Sequence, residues 1–196
     1  PEQAGQPRYQ EGIRANVELI DKIGRRLSRY ERNLGMAWRY VHYIAHNPRP
    51  WAYPQRMYLE STNACNLRCI MCPTGRGLAQ RKKGFLDWDL FRQVIDEMAP
   101  HVATTTLHIW GEPLLHPRIV DMIAYCHDHG LHAEISTNGV LLTPQISQAI
   151  LDAGLGAIYL CLDGTTAEVY EQVRRESTFE QTREHILKFL ELRNQG

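Results

Sequence analysis

The chain has 196 residues, 22 basic and 22 acidic side chains, 43% hydrophobic residues and 22% charged ones. This is the make-up of an ordinary globular domain and argues against a disordered chain; zero net charge gives no electrostatic pointer to nucleic acid or a membrane surface. No apolar run approaches the roughly 18 residues of a membrane-spanning helix, the polar start at Pro1 predicts no signal peptide, and the missing initiator Met suggests a processed, trimmed or partial sequence.

Through about residue 46 the pattern predicts a helix. Ile13, Val17, Ile20, Leu27, Leu34, Trp38 and Val41 recur at threes, fours and sevens and paint one face. Gly24 and Gly35 weaken it, and Asn47-Pro48-Arg49-Pro50 ends it. Residues 1–50 carry nine Lys/Arg against five Asp/Glu, as expected of a solvated face, with docking or membrane-surface contact as the alternative. They are expected to form an N-terminal helical extension to a main domain over residues 51–196.

From residue 55 strand and helix alternate. Strands are expected over 56–60, 104–110, 131–136 and 157–162. Helices are expected over 87–98, 119–129, 143–153, 165–173 and 178–192. Pro144 suits a first helical turn, where its missing N–H costs nothing, and Gly130 and Gly154 are helix stops. The alternation implies βαβ units and a parallel sheet with right-handed connections. Four strands are few for a barrel and leave one edge open.

Five cysteines narrow the chemistry. Cys65, Cys69 and Cys72 sit close together in Asn63-Ala64-Cys65-Asn66-Leu67-Arg68-Cys69-Ile70-Met71-Cys72-Pro73, spaced C-x3-C-x2-C just after the first strand, while Cys126 and Cys161 stand alone. An odd count in a tight cluster argues against a secreted disulfide framework and for a reducing, cytoplasmic compartment. Three thiolates this close can hold three irons of a [4Fe–4S] cluster and leave the fourth iron open to a small molecule. Zinc is the first alternative, although a structural zinc site wants four protein ligands; buried inert thiols are the second.

The cysteine loop after a first strand resembles the defining mark of the radical AdoMet (radical S-adenosylmethionine, radical SAM) enzymes. With its Met-Cys-Pro ending and later motifs, the chain is similar to their SPASM/twitch-type branch, over roughly residues 55–193. The resemblance implies a partial (β/α) barrel of parallel strands, with about four of six βα units present and the chain incomplete at its C-terminus. It implies a [4Fe–4S] cluster on Cys65, Cys69 and Cys72 and S-adenosyl-L-methionine at the open iron. Reductive cleavage of the sulfonium would give methionine and a 5′-deoxyadenosyl radical, which abstracts hydrogen from the substrate in an oxidoreductase- or transferase-type reaction. It also implies a reducing partner such as flavodoxin or ferredoxin, and a peptide or small-molecule substrate.

Three further motifs fall at the ends of the later strands. Trp110-Gly111-Glu112-Pro113 is similar to the family's Gly-Gly-Glu-Pro, with Trp110 in place of the first glycine. Gly111 permits close backbone approach, and Glu112 supplies acceptors for an ammonium group that can only donate. Ser136-Thr137-Asn138-Gly139 matches a Thr/Ser-Asn-Gly segment; Ser136 and Asn138 are expected at the cofactor, Ser136 being the better candidate, although Asn-Gly alone reads as a turn. Cys161-Leu162-Asp163-Gly164 resembles Ser-Leu-Asp-Gly, with Cys161 replacing the serine. Asp163 is either a cofactor contact or a helix cap. Arg174 or Arg175 resembles an arginine that pairs with the AdoMet carboxylate. All four segments lie at C-terminal strand ends, where parallel α/β sheets place their sites.

The other candidates are weaker. His108 reads as a core residue of the second strand. His127, His129 and His132 gather at a helix end, with a zinc site as the alternative. Cys126 reads as packing, and Arg81-Lys82-Lys83 as a solvated run or a contact for an acidic partner. The rival functions are a non-enzymatic iron–sulfur electron carrier, which needs a fourth protein ligand, and a zinc-bearing interaction module.

Overall fold

The computed structural model describes residues 54–195 and, before them, Leu34, Ala37, Tyr40, Val41, Tyr43 and Ile44. Those six are helical and exposed; the rest of the expected N-terminal extension lies outside the described residues. The chain divides into Pro1–Gln55 and Arg56–Gly196, and the second unit carries the features described below.

Four strands, β1 (Arg56–Tyr58), β2 (Thr104–Thr106), β3 (His132–Thr137) and β4 (Ala157–Leu160), pair in chain order, all parallel. Between and after them run α1 (Trp88–Met98), α2 (Ile119–Asp128), α3 (Pro144–Asp152), α4 (Ala167–Val173) and α5 (Phe179–Gln195). This is the open, partial (β/α) arrangement expected, with β1 and β4 as its edges. Asp87 starts α1 by accepting the Asp89 and Leu90 N–H groups, and Thr143 starts α3 by accepting that of Ile146, with Pro144 in the first turn.

Side chains alternate across the strands. Ala133 and Ile135 of β3 point to the helical side, where they are fully buried with Phe91, Ile95, Met122, Ile123 and Ile150. The opposite face is polar. Arg56 reaches across two strands to pair with the Glu134 carboxylate, Nη2 to Oε1 at 3.2 Å, and its Nη1 donates to the Thr106 hydroxyl. The core thus lies on one side of the sheet and leaves the other side and the strand tops for chemistry.

Cys126 belongs to this core. Burial pushes its thiol up to about 12, which removes the reactive thiolate at neutral pH. Alkylation of the metal-free, folded protein should leave Cys126 unmodified until denaturant is added, as read by peptide mass spectrometry. Rapid native labelling at this position would contradict the packing.

Several boundaries differ from those the sequence suggests. β2 stops at Thr106, not Trp110. The Leu107 N–H still bonds Glu134 O (2.8 Å), but the chain then leaves the sheet to follow the loop after β1. The Trp110 N–H donates to Glu60 Oε1 (3.0 Å) and the Glu112 N–H to Ala64 O (2.8 Å). A short 3-10 turn, Pro113–Leu115, follows. β4 likewise ends at Leu160, where the last rung runs from the Cys161 N–H to Thr137 O (3.1 Å). α4 begins at Ala167 because Thr166 caps it.

Candidate active site

The cysteine loop is closed at its base and docked along its length. Thr62 bridges Phe85, its hydroxyl donates to Gly84 O (2.7 Å), and the Asn63 side chain bonds both Lys82 O and the Gly84 N–H. Buried Leu67 pins the loop from inside. Two backbone bonds dock it onto the end of α4: Arg68 N–H to Arg175 O and Ile70 N–H to Val173 O, both 3.1 Å. Gly75 lies directly on the backbone of Cys69, where a Cβ would sit 2.7 Å from its nitrogen. The sequence gives no signal that singles out Gly75 or Leu67 for this work.

Gly111 performs the corresponding close approach on the other side. A Cβ there would lie 1.9 Å from the Thr62 carbonyl oxygen, so only glycine lets the segment after β2 lie against the loop after β1. Glu112, its neighbour, is buried and ties that segment to the top of β3. Oε1 accepts the Thr137 hydroxyl (2.8 Å) and the Leu114 N–H (3.0 Å), and Oε2 accepts the Asn138 N–H (2.8 Å). A carboxylate has about four acceptor positions, so one remains for a ligand. Pro113 is buried as the first residue of the 3-10 turn and lies outside the cavity lining.

These pieces surround one cavity of about 240 Å³ at the C-terminal ends of all four strands. Cys65, Cys69 and Cys72 form one side of it. Gly111 and Glu112 line it after β2, Ser136 and Asn138 at the end of β3, and Cys161 and Asp163 after β4, with Arg174 reaching in from the end of α4. The Ser136 hydroxyl and Cys161 thiol are paired at 3.1 Å. The Asn138 amide donates to Asn66 Oδ1 (2.9 Å) and faces Cys65 Sγ at 3.9 Å, so it braces the cysteine loop as well as lining the cavity. Asp163 is no helix cap: its carboxylate takes both Nε (2.7 Å) and Nη2 (2.6 Å) of Arg174. Arg174, rather than Arg175, is therefore the arginine at the site. His108 also lines the cavity, and its buried Nδ1 has no partner among the described residues. Burial holds its pKa below the usual imidazole value.

Burial raises the Cys65 and Cys69 thiols, and thiolate neighbours add to it: Cys72 on Cys65, and both Cys65 and Cys72 on Cys69. Arg174 opposes this at Cys69, and the Asn138 amide at Cys65. A multi-iron cation offsets such repulsion, and its binding releases the thiol protons. No three His, Cys, Asp or Glu among the described residues are arranged to hold a metal ion. A single zinc ion needs such convergence, whereas each thiolate of a cubane takes its own iron. The three cysteines in one cavity fit the cluster. His129 is occupied by Tyr125 O and Asp96, so the histidines near α2 do not form the zinc site weighed from the sequence.

Burial also pushes the Glu112 carboxyl above the usual carboxylate range, against its three hydrogen bonds and Arg174. A folded-state pKa above the unfolded one contributes stability that is complete below the unfolded value and lost as pH rises through the folded one. The cluster-free domain should therefore lose stability as pH rises from the ordinary carboxylate range, and Glu112→Gln should flatten that slope. Urea unfolding at a series of pH values checks this; an unchanged slope would contradict it.

The parallel sheet, with a thiol-lined cavity and polar groups at its top, defines a partial (β/α) barrel whose candidate site sits at the strand ends. Residues 59–194 match the radical SAM superfamily, and the chain belongs to that superfamily, whose cofactors are a [4Fe–4S] cluster and S-adenosylmethionine. A tungsten-containing aldehyde ferredoxin oxidoreductase cofactor-modifying protein of Pyrococcus furiosus is 36% identical over 109 residues, 55% of this chain and 30% of that protein. An AdoMet-dependent heme synthase of Methanosarcina barkeri is 33% identical over 130 residues, 66% of this chain and 37% of that protein. The mycofactocin maturase MftC of Mycobacterium tuberculosis is 31% identical over 121 residues, 62% and 30%, in keeping with the SPASM/twitch-type resemblance. Among solved structures, anSMEcpe with bound AdoMet shares the fold with a TM-score of 0.62 at 16% identity, over 71% of this chain and 42% of that one. The chain spans about a third of the length of these curated relatives. No helix among the described residues is long and apolar enough to cross a membrane.

Proposed function

We propose that residues 56–195 form the radical-generating core of an enzyme in which Cys65, Cys69 and Cys72 hold a [4Fe–4S] cluster and the adjoining cavity holds S-adenosylmethionine. The observation that carries this is the meeting of three thiols with the strand-end motifs of all four strands in one cavity. When bound, the pair supplies reductive cleavage of a carbon–sulfur bond and a 5′-deoxyadenosyl radical that takes hydrogen from a peptide or small-molecule substrate.

The chain's own residues bind and orient. The open acceptor position of Glu112 and the backbone at Gly111 receive an ammonium group. Arg174, held by Asp163, offers its remaining donors to a carboxylate. The Ser136 hydroxyl bonds a ribose or carboxylate oxygen, and Asn138 keeps the Cys65 loop in place. The electron comes from an external carrier such as flavodoxin or ferredoxin.

One observation favours the electron-carrier reading. Cys161 lines the same cavity, and a fourth thiolate would close the cluster. Against it, the Cys161 thiol is engaged by Ser136 at 3.1 Å. The test is anaerobic: protein reconstituted with iron and sulfide, S-adenosylmethionine and dithionite. Methionine and 5′-deoxyadenosine should form in equal amounts, whereas intact S-adenosylmethionine beside a reduced cluster would overturn the radical-enzyme reading.

A further inference from the structure

The cysteine loop has a second, outward face that the cofactor chemistry does not use. Residues 61–84 contain five basic side chains, Arg68, Arg76, Arg81, Lys82 and Lys83, and no acidic one, in a chain whose total charge is zero. All five are exposed. Arg81 is paired with Glu60 at 2.8 Å. Among the described residues none of the other four has a carboxylate partner.

A small cavity of about 120 Å³ opens on this face, walled in part by Arg68, Arg81 and Lys83 together with Thr74 and Gly77. Two cations without a carboxylate partner, Arg68 and Lys83, beside the Glu60-paired Arg81 and with no carboxylate in the wall of the hollow, form a receptor for an acidic side chain. Large apolar side chains are exposed on the same loop: Ile70 at 45% and Leu78 at 59%. Exposed apolar groups among charges of one sign make a surface suited to a protein partner of the opposite sign.

The position matters as much as the charge. Arg68 precedes Cys69, and Thr74 follows Cys72-Pro73. A protein seated here would stand against the backbone that carries two of the three proposed cluster ligands.

We infer that this face is the docking surface for a small acidic one-electron carrier protein, which gives one electron to the cluster and is itself oxidised by one electron. The inference rests on the cluster reading proposed above. It calls for no direct contact between the carrier and the S-adenosylmethionine cavity.

The test uses the full-length, cluster-loaded protein and its triple variant Arg76→Glu, Lys82→Glu, Lys83→Glu, with fully reduced flavodoxin as the acidic donor. Two quantities are read: the dissociation constant for flavodoxin without S-adenosylmethionine, and the rate of cluster reduction followed by absorbance. In the unaltered protein both should weaken as salt is raised. In the variant, binding and reduction by flavodoxin should fall about tenfold or more at low salt, while iron content and reduction by dithionite stay unchanged. Equal binding and reduction in both proteins would overturn the docking surface alone. A variant that loses its iron, or its reduction by dithionite, would also overturn it, since these side chains would then serve the loop itself. Failure of the unaltered protein to load a cluster would overturn the functional reading and this inference with it.

Discussion

Gly111→Ala is expected to destabilise the cluster-free domain by about 4 kcal/mol or more, the range reached only when backbone or core geometry is broken. The added Cβ would meet the Thr62 carbonyl oxygen at 1.9 Å, its carbon at 2.7 Å and the Ala64 oxygen at 2.9 Å. All three are backbone atoms, so no side chain can swing aside. Thr62 is fixed by its bridge to Phe85 and its bond to Gly84, and Ala64 by the Glu112 N–H. Relief therefore means parting the segment after β2 from the loop after β1. That strands the Glu112 N–H and shifts the carboxylate on which the part-buried Leu114 N–H and two buried donors, the Thr137 hydroxyl and the Asn138 N–H, depend, a buried donor left unpaired costing about 1–3 kcal/mol. Urea unfolding measures the loss directly; a variant within about 1 kcal/mol of the unaltered protein would contradict the close approach.

The second large effect belongs to the thiols. Cys65→Ser, Cys69→Ser and Cys72→Ser should each yield protein without a stable [4Fe–4S] cluster. Formation of 5′-deoxyadenosine should fall by more than the roughly 100-fold that loss of an outer partner of a metal site costs. Serine keeps the size of the side chain, so the metal-free fold should survive, as circular dichroism would show. Cys161→Ser should retain full iron, because its neighbour is the Ser136 hydroxyl and three thiolates suffice. Loss of iron in Cys161→Ser with retention in Cys69→Ser would reverse the ligand assignment.

Much of this site is legible in the sequence because its signals are local. Three cysteines within eight residues, and motifs placed just after apolar runs, mark the strand ends without knowledge of any long-range contact. That the sheet is parallel follows from the alternation alone; the order β1-β2-β3-β4 does not, since doubly wound sheets share the alternation with other orders. What escapes is set by distant partners. The run Thr104–Trp110 reads as one strand, yet the chain leaves the sheet after Leu107 because Glu60 and Ala64 capture Trp110 and Glu112. Asp163 looks equally like a cap or a ligand contact until Arg174 is seen across its carboxylate. Gly75 is one glycine among fourteen until its position on the Cys69 backbone is known. The unpaired Nδ1 of His108 depends on tertiary burial, so a lone histidine in an apolar run gives no sign of it.

The most direct test of an open-iron cluster in this cavity is the EPR spectrum of the anaerobically reconstituted, reduced protein, recorded with and without S-adenosylmethionine. A [4Fe–4S]⁺ signal that shifts on addition of S-adenosylmethionine is the expected result, because the cofactor would then occupy an iron that no thiolate holds. A cluster signal that S-adenosylmethionine leaves unchanged would contradict it and favour a cluster closed by a fourth ligand, with Cys161 the first candidate.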